Sequence, residues 1–260
     1  MPYDETYSQY DKFMGRWSRQ VATQFIDWVE AERELSWLDV GCGVGILAET
    51  VIKSCSPSVI VGADPLEKSI EAAKRHPDNK GIEFHIGDAE NLPFEGAKFD
   101  VVISGLMIKF VANKLRAISE MKRVARPGSI IALYDWDMDS NMNTTRHFWE
   151  AVATMIPDRI EDPKTNRTLI TEIDSIASLF EEAGIKAVEQ NIISFTTLFR
   201  DLDDYWTPIT NNSQNVGRFY KTMTEDEREA VHQRMTQTLP FNSDGSISFE
   251  SRAVAIKGLT

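Results

Sequence analysis

Cysteine is nearly absent from this chain: Cys42 and Cys55 are the only two in 260 residues. Two thiols cannot build the disulfide framework of a small secreted domain, and they cannot supply a four-cysteine zinc site. Basic residues are outnumbered, with 28 Lys and Arg against 40 Asp and Glu, a net charge of −12. That balance argues against a nucleic-acid partner, because phosphate contacts need clustered Lys and Arg. No apolar run approaches the ~18 residues of a membrane-crossing helix, so no membrane partner is expected. The opening Met1-Pro2-Tyr3-Asp4-Glu5 lacks the apolar stretch of a signal peptide. What is present, 42% hydrophobic and 26% charged residues, is ordinary for a globular protein. The expected location is cytoplasmic.

The richest stretch is Val40-Gly41-Cys42-Gly43-Val44-Gly45, entered through Leu35-Ser36-Trp37-Leu38-Asp39 and followed by Ile46 to Ile52. A short apolar run, alternating glycines and a helix-compatible segment read as strand, tight turn, helix. Glycine at such a turn reaches positive φ and lets a ligand approach the backbone. A second strand is expected at Val59–Ala63, ending at Asp64-Pro65. Asp64, twenty-one residues after Gly43, stands where an acidic side chain can accept both hydroxyls of a ribose. A dinucleotide site asks for a small residue at the sixth place counted from Gly41, and Ile46 stands there, which disfavours a nicotinamide-dependent reductase.

Further strands are expected at Ile82–Ile86, Phe99–Leu106, Ile130–Tyr134 and Ala187–Phe195, with a last, antiparallel one over Ser246–Ile256. Helices fall between them, at 115–125 and at Ile173–Ala183, the latter stopped by Gly184. Strands alternating with helices predict an α/β fold: a Rossmann-like three-layer sandwich whose seven-stranded sheet is mostly parallel. We expect one domain over 1–260 with two helical cap insertions, about 136–171 and 196–245. The insertions follow strands of one sheet, so the expectation is that they cover the carboxyl ends of the strands and form an acceptor pocket.

The order Asp39-x-Gly41-x-Gly43-x-Gly45, Asp64, Gly87-Asp88-Ala89-Glu90-Asn91-Leu92-Pro93-Phe94, and Arg126-Pro127-Gly128 resembles the class I S-adenosylmethionine (SAM) methyltransferases. It is closest to the methyltransferase type 11, ubiquinone/menaquinone-methyltransferase-like group. Ser129 replaces that group's usual second glycine. The resemblance implies SAM as cofactor. It implies that Asp39, Gly41, Cys42 and Gly43 meet the amino-acid part, with Cys42 a small loop side chain and no nucleophile. Asp64 would hold the ribose, while Pro65 and Leu66 flank one adenine face. Asp88 would take the adenine amine and Ala89 the ring through its amide. Ser104 would stand near the amino-acid end, and Tyr10 and Arg16 on an opening helix would cover the cofactor. Each of these residues also has a purely structural reading as turn, strand end or helix core.

For the acceptor, the candidates are the aromatics Trp136, Trp149, Tyr205 and Trp206 with Asp137, and for a base, His147. The same aromatics read equally as a small core that holds the insertions together. The expected activity is in-line methyl transfer from SAM to a small-molecule acceptor through an oxygen, nitrogen or carbon nucleophile. The expected assembly is a monomer or homodimer, and no metal site is predicted. A SAM-binding cyclase, a catalytically silent regulatory protein and a protein methyltransferase are the alternatives the residues leave open.

Overall fold

The computed structural model describes residues 14–137, 145–159, 173–211 and 215–260. Its sheet has seven strands in the order β3-β2-β1-β4-β5-β7-β6. They are β1 (Ser36–Val40), β2 (Val59–Asp64), β3 (Glu83–Ile86), β4 (Phe99–Gly105), β5 (Ala125–Trp136), β6 (Lys186–Phe199) and β7 (Ile247–Leu259). The pairs β1–β2, β1–β4, β2–β3 and β4–β5 are parallel, and β5–β7 is antiparallel. Central β1 is buried along its whole length, as expected of a parallel strand covered on both faces, which reads as a continuous apolar run rather than an alternation. Edge strand β6 alternates instead, with Ile193, Phe195, Thr197 and Phe199 buried between exposed neighbours.

Among the described residues four helices link the parallel strands or precede them: α1 (Arg16–Val29), α2 (Ile46–Cys55), α3 (Glu67–Arg75) and α4 (Lys114–Val124). Helix α1 buries Trp17, Val21, Ala22, Phe25, Ile26 and Val29, positions three to four apart on one face. In α4 the same spacing buries Ala117, Ile118, Met121 and Val124, and the Asn113 side chain caps the helix by accepting from the Arg116 N–H. These residues join Leu38, Val102, Ile131 and Leu133 of the sheet in one apolar core. β5 starts five residues earlier than expected. Ala125 pairs with Phe99 and Ile130 with Val101, so Arg126-Pro127-Gly128 forms an irregularity inside the strand, with Gly128 at φ +80°.

Contacts divide the chain into two compact units. The first comprises 1–136, 171–193 and 253–260, and the second 137–170 and 194–252. The second unit contains the helices α5 (Arg146–Met155), α7 (Leu202–Asn211), α8 (Asn215–Lys221) and α9 (Glu225–Thr238), whereas α6 (Ile173–Glu182) belongs to the first. Its interior is aromatic. Phe148, Phe199 and Tyr205 are fully buried, with ring centroids of Phe199 and Tyr205 5.0 Å apart and of Phe148 and Trp206 5.9 Å apart. Helix α9 begins with a reciprocal capping box between Thr224 and Glu227. Among the described residues no helix is long and apolar enough to cross a membrane.

Candidate functional site

β1 delivers the chain into the glycine loop at the carboxyl end of the sheet. Gly41, Gly43 and Gly45 sit at φ +74°, +53° and +94°, a region that costs a residue with a Cβ about 1–2 kcal/mol. The loop is pinned to β2, because the N–H groups of Gly41 and Cys42 both donate to the Ala63 carbonyl, at 2.7 and 3.0 Å. From the other side Asn79 Nδ2 donates to the Val44 and Ala73 carbonyls at 2.9 Å. A Cβ on Gly41 would lie 2.3 Å from Met107 Cγ and one on Gly45 2.6 Å from Asn79 Nδ2. A Cβ on Gly43 would meet nothing within 4 Å among the described residues.

Two carboxylates flank the loop. Asp64 closes β2 and is 8% exposed. Its Oδ2 accepts from the Gly43 N–H at 3.0 Å and its Oδ1 from the Leu66 N–H at 2.9 Å. Burial raises its carboxyl above the ordinary value, and those two N–H groups pull it back. A carboxylate oxygen accepts more than one hydrogen bond, so each keeps capacity for a hydroxyl donor. Asp39 is fully buried, and among the described residues neither of its oxygens accepts a hydrogen bond. Burial pushes its carboxyl up to about 7; the Ala48 N–H lowers it without closing hydrogen-bond geometry, and the Asp64 charge raises it. A buried carboxylate with no donor is unfavourable by several kcal/mol, and a cation arriving at the loop would relieve it.

Between them, Cys42 lies 3.8 Å (Sγ) from the Gly43 carbonyl, and burial with the Asp39 and Asp64 charges holds its thiol well above the ordinary value. It is no nucleophile. Its sulfur packs where a Cβ on Gly62 would otherwise fall, at 2.8 Å. Buried Ser104, on β4, donates its hydroxyl to the Val40 carbonyl at 2.7 Å and ties the two strand ends together. The next turn is tight: Leu106 sits at φ +60° and donates its N–H to the Tyr134 carbonyl at 2.9 Å.

The loop from Asp88 to Phe94 follows β3. Asp88 is exposed, its Oδ1 accepting from the Glu90 N–H at 2.8 Å, while Ala89 is buried. Helix α4 holds this loop through residues that sequence reasoning passed over. Arg123 donates to the Phe94 and Leu92 carbonyls at 2.8 and 3.0 Å, and Glu120 Oε2 accepts from the Leu92 N–H at 2.9 Å. The bonds between Arg123 and Glu120 lower the acid's carboxyl and raise the guanidinium. An i,i+3 acid–base pair reads in sequence as a solvated helix face, so only the loop's position reveals the clamp. Pro65 and Leu66 are exposed, Leu66 at 60%, with Ile86 of β3 exposed likewise.

Arg16, in the first turn of α1, lies over the Trp17 ring at 4.6 Å. Tyr10 falls outside the described residues. In β5, Trp136 is buried and pairs with Ala253. In the second unit, Asp137 pairs with Arg252 at 2.7 Å, Trp149 is half-buried, and Tyr205 and Trp206 are core residues. His147 stacks on Phe249 at 5.0 Å, with its Nδ1 3.6 Å from Glu150. Burial lowers its pKa; the Glu150 charge opposes that and Arg146 adds to it. His147 is therefore a neutral imidazole at pH 7.

A ligand with an ammonium group, a vicinal diol and an apolar base suits the first unit's loops, through Asp39, Asp64 and the Leu66 surface. Residues 38–133 match the family model of a methyltransferase domain. The chain is 32% identical over 127 residues to the chloroplastic 2-phytyl-1,4-beta-naphthoquinone methyltransferase of Arabidopsis thaliana, covering 46% of this chain and 49% of that one. It is 28% identical over 170 residues to the ubiquinone biosynthesis O-methyltransferase of Dinoroseobacter shibae, covering 62% and 64%. It thus spans less than two thirds of either relative. Among solved structures, the YcgJ protein of Bacillus subtilis shares the fold with a TM-score of 0.57 at 18% identity, covering 94% of this chain and 98% of that one. A Haemonchus contortus phosphoethanolamine N-methyltransferase, solved with S-adenosylhomocysteine, aligns with a TM-score of 0.57 at 13% identity, covering 98% and 58%.

Proposed function

We propose that the chain, whose residues 38–133 match the family model of a methyltransferase domain, is a class I SAM-dependent methyltransferase that transfers a methyl group from SAM to a small-molecule acceptor. The observation that carries the reading is Asp39: a fully buried carboxylate on β1, without a hydrogen-bond donor among the described residues, leading into the glycine loop. SAM would supply a methyl group activated on a sulfonium. Asp39 would receive the ammonium of the ligand's amino-acid part, beside the Gly41, Cys42 and Gly43 backbone, and Ser104 keeps the β1 and β4 ends in place. Arg16 is the candidate partner for the ligand's carboxylate. Asp64, already oriented by the Gly43 and Leu66 N–H groups, would accept the ribose hydroxyls. Pro65 and Leu66 offer apolar surface to the adenine, and Asp88 and the Ala89 amide its polar edge.

Transfer to a positioned nucleophile needs no covalent help from protein. Holding the acceptor in line and excluding water is worth several orders of magnitude in rate. Asp137 and half-buried Trp149 are the candidate acceptor contacts, neutral His147 is the candidate base, and Trp136, Tyr205 and Trp206 serve as buried packing. Relatives named for quinone methylation favour a small acceptor over a macromolecule.

Calorimetric titration with SAM, S-adenosylhomocysteine and NAD tests the cofactor assignment. Binding of both sulfur ligands at one site and negligible binding of NAD is expected; tight NAD binding with no response to the others would refute it. Incubation with methyl-labelled SAM and a cell metabolite extract then separates an enzyme from a silent SAM-binding protein. Once an acceptor is known, His147→Ala should keep much of the rate if positioning dominates. A loss of about 10²–10⁴-fold would make His147 the base.

A further inference from the structure

Asp135, the residue before the last of β5, is 1% exposed. Its Oδ1 takes two donors, Lys109 Nζ at 2.8 Å and the Trp136 N–H at 2.8 Å. Its Oδ2 is shielded from solvent and accepts no hydrogen bond among the described residues. A buried carboxylate oxygen left in that state is unfavourable, and it calls for a partner such as a water, an ion or a ligand.

The strand register says where this residue stands. Asp39 pairs with Ile103, and Ile103 with Ala132. β1 ends at Val40 and turns at Gly41, whereas β5 runs on to Trp136. Asp135 therefore lies at the same carboxyl edge of the sheet as the glycine loop, two strands from β1, about 10 Å at the usual spacing of neighbouring strands. The left-handed turn at Leu106 folds the chain back after β4 and brings Lys109 onto the β5 carboxylate. Lys109 occupies one oxygen and leaves the other unpartnered among the described residues.

We propose that Asp135 Oδ2 receives the N–H or O–H of the acceptor's nucleophilic atom. The acceptor is then an amine or a hydroxyl compound, not a carbon or thioether nucleophile. Asp135 is a substrate-contacting residue, and Lys109 positions it. The proposal rests on the methyltransferase reading above.

Sinefungin, the SAM analogue in which an amine-bearing carbon replaces the methylated sulfur, places an N–H donor at the transfer position and serves as the probe. Calorimetry compares it with S-adenosylhomocysteine, which has no donor there. In Asp135→Asn the affinity for sinefungin should fall about tenfold, with less than a twofold change for S-adenosylhomocysteine, as for loss of a charge-assisted hydrogen bond. Lys109→Gln leaves the carboxylate charge unopposed and should strengthen sinefungin binding about threefold; it decides the matter if Asp135→Asn does not fold. Equal changes for both ligands, or an unchanged sinefungin affinity in either variant, would overturn the role of Asp135. Failure of the wild-type protein to bind either ligand would instead overturn the cofactor assignment, and this proposal with it.

Discussion

Raising the pH from 6 to 8 should tighten S-adenosylhomocysteine binding by about tenfold, and Asp39 sets that number. Its carboxyl is held at about 7 by burial, against an ordinary value of 3.8. The ionised fraction is therefore about 0.1 at pH 6 and about 0.9 at pH 8, and an ammonium-bearing ligand binds in proportion to it. At pH 6 binding must also release close to one proton, which calorimetry in buffers of different ionisation enthalpy reads directly. The stability of the ligand-free protein runs the other way. A raised folded-state pKa contributes stability that is fully present below about pH 4 and is lost as pH rises through about 7. The loss is on the order of 4 kcal/mol for a shift of this size. Alkaline pH thus weakens the empty protein while strengthening its grip on the ligand. Asp39→Asn should flatten both curves, raising the Tm of the ligand-free protein at pH 8 while lowering affinity there. Asp64 is also shifted upward, so the residual pH dependence of that variant reports Asp64. A wild-type Kd unchanged between pH 6 and 8, with no proton release, would refute the reasoning.

The glycines separate folding from binding. Gly43→Ala should cost about 1 kcal/mol of stability for its positive φ, yet lose most ligand affinity, since its Cβ enters space that no described residue fills. Gly41→Ala, whose Cβ would strike Met107, should lower Tm further, with partial recovery in the Met107→Ala background. Asp64→Ala should weaken S-adenosylhomocysteine binding by about 1–3 kcal/mol with the fold intact; unchanged affinity would make Asp64 a loop brace only. Arg123→Ala should cost only about 1 kcal/mol overall, because the side chain is 40% exposed. Hydrogen exchange at residues 88–94 should nevertheless speed up before the rest of the sheet, and uniform protection would count against the clamp.

Residues with one dominant environment were readable in advance. The buried strands β1, β2 and β4 announce themselves as apolar runs, and the glycine loop by spacing that only positive φ explains. Asp64 was legible because it closes a strand at a fixed distance from that loop. What sequence could not supply was the state of a side chain once the fold surrounds it. Nothing in the string of letters says that no described residue donates to Asp39 or that Ser104 spends its hydroxyl on Val40. Glu120 and Arg123 look like any solvated pair until β3 brings a loop to them. β6 ran past its expected end at Phe195 because Thr197 and Phe199 continue the alternation through polar residues that disguise it. Asp137, Tyr205 and Trp206 carried two meanings in sequence, ligand contact or core, because burial and recognition recruit the same residue types.

The placement of β7 has a consequence for how the chain is made. It is the last of the seven strands in sequence, yet it lies inside the sheet, between β5 and β6. During synthesis the five parallel strands emerge first, with the flank of β5 unpaired until Ala253 to Leu259 arrive to close it. Among the described residues β6 in turn has no neighbour in the sheet but β7. Assembly is therefore long-range and late, a slow step during which an open strand edge invites association with other chains. A lesion in the final strand would detach two strands at once, and its first symptom would be poor yield from expression rather than a slower enzyme.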